Sequence, residues 1–178
     1  MTPNSHLLYE AASFAARAHR HQIRKDKETP YVAHPFRVCL VVQQVFDIHD
    51  PQVLTAALLH DTIEDTTTDY DDLAERFGDE VAGWVAALSK DTRLKDDVRE
   101  PAYFAALAAA GWQVQVVKMA DLYDNLIDTK FLAPSSARRF VRRNREFVEF
   151  VRPHVKPEAA AAFAVAEAKL NEVAKTLE

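Results

Sequence analysis

Glycine, which tight turns and hairpins draw on most heavily, occurs only three times in this chain of 178 residues. Alanine, leucine, glutamate and arginine are frequent instead, a balance that favours helices over a turn-rich β fold. The chain is long enough to bury a core without disulfides or metal staples, so a single domain spanning residues 1–178 is expected. The predicted fold class is all-α, a compact single-domain helical bundle.

Helix signals divide the chain. A first helix is expected after Ser5 as N-cap, with Leu8, Ala11, Ala15 and Ala18 at helical spacing. The polar loop RKDKETP leads to a second helix entered through His34 and Pro35. Asp50-Pro51 reads as a cap followed by a first-turn proline. Further helices are predicted over Thr68–Phe77, stopping at Gly78, over Asp79–Leu88, and over Pro101–Ala110, stopping at Gly111. The valines of QVQVVKMADLYDNLID would suit a strand, but no second strand offers a partner, so this stretch is read as helix. Ser135 or Ser136 is the expected cap of a helix running to about Val151, and a last helix follows Pro157.

Net charge is −5, so nothing global points to nucleic acid as the main partner. The one cysteine, Cys39, lies in the apolar run VCLVV and reads as a small buried hydrophobe. With no signal-peptide pattern and no apolar run of membrane-spanning length, a cytoplasmic protein without a membrane partner is expected.

The chemistry concentrates in LLHDTIEDT, from Leu58 to Thr66. On one continuous helix His60 and Glu64 would share an edge, with Asp61 and Asp65 on the neighbouring edge. Charged groups are costly on an apolar helix unless compensated, and a bound metal ion compensates well. The dipeptide His60-Asp61 is common by itself and fits a solvated helix end. Glu64 and Asp65 shift the balance, because so many titratable groups directly after TAALL suit no ordinary surface. His34 in YVAHP and Asp121 in VVKMAD also interrupt apolar stretches and need partners if buried. Taken singly, each reads as a structural histidine or a buried ion-pair carboxylate.

AHRHQIRKDKETPYVAHPFRV, then LLHDTIEDT, then KMADLYDNL, together resemble the HD-superfamily hydrolase domain of RelA/SpoT-type proteins. The chain is most similar to the stand-alone small alarmone hydrolases of the stringent response. The resemblance covers about residues 5–150, leaving the helix at 157–178 to pack on that core. It implies one divalent ion, usually Mn²⁺, held by His34, His60, Asp61 and Asp121. That mixed donor set also suits Fe²⁺ or Zn²⁺. The implied reaction removes the 3′-pyrophosphate of ppGpp or pppGpp, giving GDP or GTP plus pyrophosphate. By the same resemblance Glu64 and Asp65 orient the attacking water and manage protons. Arg24 and Lys25 would hold the nucleotide, with Arg24 able to stack on a base, and Asn125 would lie near ribose and phosphate. Departures from the family pattern stand at His21, at the glycine-free loop DKETPYV, and at Ile127 and Asp128, where a basic position is frequent.

Arg138, Arg142 and Arg145 fall on one face of the predicted helix. They suit either a rim attracting an anionic substrate, with Arg142 as a substrate contact, or a solvated face. Phe163, Ala166, Leu170, Val173 and Leu177 make a C-terminal stripe for packing on the bundle, with a homodimer as the lesser alternative. Other readings are an HD phosphohydrolase of another nucleotide, or a non-catalytic nucleotide sensor. A dinuclear phosphodiesterase is disfavoured, because no histidine falls between residues 61 and 153.

Overall fold

A computed structural model describes residues 3–177, with side chains from His6 onward. Among these residues ten α-helices are joined by short loops, and pairing is limited to one isolated β-bridge between Ile23 and Pro30. The helices are α1 (Pro3–Ala18), α2 (Ala33–Leu40), α3 (Pro51–Leu59), α4 (Thr62–Asp65), α5 (Tyr70–Phe77), α6 (Asp79–Leu88), α7 (Asp96–Ala109), α8 (Trp112–Ile127), α9 (Pro134–Val151) and α10 (Ala160–Lys175).

Two helices form the centre. From Val53 to Leu59, α3 is buried on every side, as expected for a helix without a polar face. It packs on α1, α2, α6 and α8. The valine-rich segment is helical, as predicted: α8 buries Val114, Val116, Val117, Met119, Leu122 and Leu126 against α2, α6, α7 and α10. Burial of those side chains outweighs their modest helix propensity. The polar residues at the end of α3 and along α8 therefore come from the two most enclosed helices.

Local chemistry sets several boundaries. Asp50 caps α3 by accepting from the amides of Gln52 and Val53, with Pro51 at the first helical position. Asp69 and Asp72 form a reciprocal capping box on α5, which stops at Gly78 with φ of 86°. α2 runs directly into a π turn at Val41–Val45.

Four sequence expectations need correction. α1 begins at Pro3, so Ser5 is inside the helix and is not its cap; its side chain lies outside the described residues. α7 starts at Asp96, upstream of Pro101, which sits inside it. Asp96 and Asp97 favour the N-terminal dipole there, and the helix carries Pro101 despite the lost backbone donor and the crowding of its ring against the preceding turn. α9 begins at Pro134 with Ala133 as its cap residue, so neither Ser135 nor Ser136 caps it. LLHDTIEDT is also not one helix: α3 ends at Leu59, and Thr62 opens α4 after a break at His60 and Asp61.

Cys39 is half-buried beside the core, and its enclosure pushes the thiol pKa up to about 11. On α10, Phe163, Ala166, Leu170 and Val173 are buried, and that helix packs on α8 and α9. The C-terminal stripe is thus spent within the bundle. No helix among the described residues is long and apolar enough to cross a membrane.

Candidate metal centre and cleft

The break after α3 allows the central polar cluster to form. His60 ends α3, and its Nδ1 donates to the Ala57 carbonyl at 2.9 Å, leaving Nε2 as the ring's free lone pair. That Nε2 is buried and has no hydrogen-bonded partner. His34, in the first turn of α2, directs Nδ1 to Asp124 at 2.7 Å, so its Nε2 also faces the centre. The turned backbone at Asp61 brings its Oδ2 within 3.1 Å of His60 Nε2 and 3.4 Å of His34 Nε2. Across the cluster, Asp121 Oδ1 of α8 lies 3.2 Å from His34 Nε2 and 3.9 Å from His60 Nε2.

Single donor atoms of His34, His60 and Asp121 lie within 4.8 Å of one another, and Asp61 adds a carboxylate oxygen at their edge. Two imidazole lone pairs and two carboxylates facing one point, one of them an orphaned buried nitrogen, fit a divalent metal. The charges also match, since two carboxylates balance a dication.

In the metal-free protein the local electrostatics ask for a cation. Burial by itself would depress the His34 pKa, but hydrogen bonds to Asp121, Asp124 and Asp61 outweigh it and push the imidazole up to about 10. Burial would raise Asp121, yet the Lys118 ammonium and His34 hold it well below the usual carboxylate range. Asp61 is likewise held low, against its burial, by His60 and His34.

A cleft enclosing about 200 Å³ opens beside the cluster. His60, Asp61, Asp121, Glu64, Asp65 and Asn125 all line it, with Lys90, Lys118 and Arg143 as cations and Phe104, Phe140 and Phe147 as apolar wall. Glu64 is anchored by the Lys90 amide, which donates to its Oε2 at 2.8 Å. Lys118 Nζ holds Asp121 Oδ2 at 2.6 Å, leaving the other oxygen for the cluster. Asn125 donates to Asp121 Oδ1 at 2.5 Å. The Tyr31 hydroxyl reaches both Asp61 and Asp65. Burial and the nearby Asp61 charge raise the Asp65 pKa, only partly offset by Tyr31.

Of the sequence candidates, the cluster joins His34, His60, Asp61 and Asp121, while Glu64, Asp65 and Asn125 stand on the cleft wall. Three others sit elsewhere. Arg24 is buried, donating to Asp128 from Nε at 3.0 Å and from Nη2 at 2.7 Å, and to Asn125 at 3.2 Å. Its guanidinium does not line the cleft: its edge is spent on Asp128 and Asn125, and its face lies over the Tyr31 ring, 5.5 Å from the centroid. Lys25 Nζ lies over the Phe140 ring, 5.6 Å from its centroid, outside the cleft lining. Arg142 lines a neighbouring groove with Glu100 and Phe150; it is Arg143, one residue on and rotated about 100° around α9, that faces the cleft while pairing with Glu100.

Sequence reasoning missed Tyr31, Arg37, Lys90, Lys118 and Asp124. Tyr31, Arg37, Lys118 and Asp124 had a signal, each standing three residues from His34 or Asp121 within the same motifs. Lys90 had none, since only tertiary contact brings it in.

An all-helical scaffold with histidines and aspartates converging between its two central helices defines the class: a helical protein with a candidate site for a divalent metal. The chain belongs to the HD domain family, whose model matches residues 11–143. It is 38% identical to a Xenopus tropicalis guanosine-3′,5′-bis(diphosphate) 3′-pyrophosphohydrolase MESH1, over 75% of each chain. The Homo sapiens protein of that name is also 38% identical, over 84% of this chain and 83% of its own. A solved structure, described as a metazoan ortholog of SpoT that hydrolyzes ppGpp, superposes with a TM-score of 0.81 at 29% identity, covering 96% of this chain and 94% of the other.

Proposed function

We propose that the protein hydrolyses the 3′-pyrophosphate of guanosine tetra- and pentaphosphate, releasing GDP or GTP and pyrophosphate. The observation that carries this reading is the convergence of His34, His60, Asp61 and Asp121 donors beside a cleft walled by both carboxylates and cations. Relatives at this identity that carry the same activity in their names support it.

His34, His60, Asp61 and Asp121 would hold one divalent ion, for which we favour Mn²⁺. Such an ion lowers the pKa of water and polarises the phosphoryl group under attack. Water's oxygen joins the phosphorus carried on the 3′-oxygen, the bond from that oxygen to phosphorus breaks, and pyrophosphate leaves. The proton lost by water is made up on the departing 3′-oxygen, so GDP forms from the tetraphosphate and GTP from the pentaphosphate.

The side chains divide this work. Asp65, with its raised pKa and its Tyr31 contact, suits transient proton acceptance. Glu64, held by the Lys90 amide, orients water from the same wall. Lys118, Lys90 and Arg143 counter the substrate's phosphate charge, and Asn125 adds a polar contact at the entrance to the cluster. Phe104, Phe140 and Phe147 offer an apolar surface suited to a base. We place the protein in the cytoplasm, where its half-buried, unpaired Cys39 thiol stays reduced.

Metal-stripped protein incubated with ppGpp, with and without Mn²⁺, tests this directly. Metal-dependent appearance of GDP and pyrophosphate is the expected result. Bound metal with no turnover of ppGpp would redirect the assignment to another nucleotide.

A further inference from the structure

His34 is supported from behind by a charge lattice, buried at Arg24, Asp124 and Asp128 and half-buried at Arg37, that the motifs do not announce. Asp124 Oδ2 accepts from His34 Nδ1 at 2.7 Å, and the Asp124 side chain is fully enclosed. Arg37, one turn along α2 from His34, grips both oxygens of that carboxylate, with Nε to Oδ1 at 2.7 Å and Nη2 to Oδ2 at 3.0 Å. The same Arg37 Nη2 donates to Asp128 at 2.9 Å, and Asp128 in turn receives Arg24. Two guanidiniums and two carboxylates therefore neutralise one another behind the imidazole. The lattice joins α2, α8, the turn after α8 and the loop before α2.

This arrangement has a specific consequence for the metal centre. A carboxylate hydrogen-bonded to Nδ1 fixes the proton there, presents Nε2 as a lone pair and increases its donor strength. An unrestrained aspartate so near the cluster could swing towards the cation itself. The bidentate fork of Arg37 prevents this and holds the planes aligned. Arg37 also supplies a guanidinium beside the DxxxN segment from a different helix, where Ile127 leaves that segment without its frequent basic residue.

We infer that Asp124 and Arg37 are positioning residues of the metal centre: Asp124 sets the tautomer and donor strength of His34, and Arg37 locks Asp124 in that role. The inference rests on the metal reading of the His34, His60, Asp61 and Asp121 cluster. It assigns metal affinity, rather than substrate contact, to two residues outside the cleft.

The test is Mn²⁺ affinity of the whole chain, measured by calorimetry in the absence of any nucleotide. Asp124→Ala should weaken Mn²⁺ binding about 10–100-fold, the usual effect of losing such a partner. Asp124→Asn, which keeps the shape and a weaker acceptor, should fall between that variant and the wild type, and it decides the matter if the alanine variant does not fold. Arg37→Gln should also weaken binding, by less than Asp124→Ala. The His34 Nδ1 proton gives an independent readout: its NMR resonance should lie far downfield and exchange slowly in the wild type, and move upfield in Asp124→Asn. Folded Asp124 variants that bind Mn²⁺ within twofold of the wild type would overturn the inference and leave the metal reading standing. A wild-type protein that binds no Mn²⁺ would overturn both.

Discussion

Asp61 and Asp65 share one phenol: the Tyr31 hydroxyl lies 2.7 Å from Asp61 Oδ2 and 3.0 Å from Asp65 Oδ2. A single proton serves two carboxylates one helical turn apart, one beside His34 and His60 and the other on the cleft wall. The Tyr31 ring is set by stacking on buried His19, with centroids 4.9 Å apart. His19 is tied through Gln22 to the Asp65 carbonyl. Tyr31→Phe keeps the ring and removes only the hydroxyl. It should lower kcat about tenfold, corresponding to the loss of one hydrogen bond to a charged group, about 1.5 kcal/mol. Asp65 acts ionised, and Tyr31 is a group that lowers its raised pKa. Activity therefore fails as pH falls, and that acid limb should move to higher pH in Tyr31→Phe. Steady-state pH profiles of both proteins check the direction.

Glu64 and Asp65 touch the cleft without belonging to the cluster of metal-donor atoms. Glu64→Gln and Asp65→Asn should each retain stoichiometric Mn²⁺ while losing about 10²–10⁴-fold in kcat, the range for a general acid–base group. Metal content and single-turnover rates, measured on the same preparation, separate the two effects. Unchanged nucleotide binding with no wild-type turnover would instead mark a sensor.

The metal-free protein should show an unusual dependence of stability on pH. His34 is raised to about 10 in the folded state, against an unfolded value of 6.5. A raised folded pKa contributes stability that is complete below the unfolded value and is lost as pH climbs through the folded one. Chelated protein should therefore lose thermal stability from about pH 6.5 to pH 10. Saturating Mn²⁺ should abolish that loss, because metal takes the place of the proton. Thermal melts with chelator and with Mn²⁺ across this range provide the comparison.

Replacing Arg24 should affect stability more than binding. Its guanidinium is buried against Asp128, and Arg24→Ala leaves that carboxylate with Arg37 as its remaining partner. Breaking such a pair costs about 3 kcal/mol. Denaturant unfolding should show this loss, with KM for ppGpp changed much less than stability. A large KM effect at unchanged stability would return Arg24 to the substrate site.

What the sequence determined alone was local and compositional. Scarce glycine and the spacing of apolar residues imposed an all-helical chain, and Asp50-Pro51 and Gly78 marked boundaries through backbone chemistry. The segments YVAHP, HDTIED and KMADLYDN named the residues that would need compensation if buried. Tertiary structure decided the rest, because burial and partnership are not written in a linear pattern. Asp124 shares a motif with Asp121, but its partners appear only when α2 brings His34 and Arg37 against it, across 90 and 87 residues of chain. Arg24 resembles a solvated loop residue until Asp128, 104 positions away, takes its donors. Arg142 and Arg143 are neighbours in sequence, and only the rotation of α9 on the bundle turns the second towards the cleft. The break after Leu59 is likewise legible only in three dimensions, where Asp61 stands within reach of both His60 and His34 of α2.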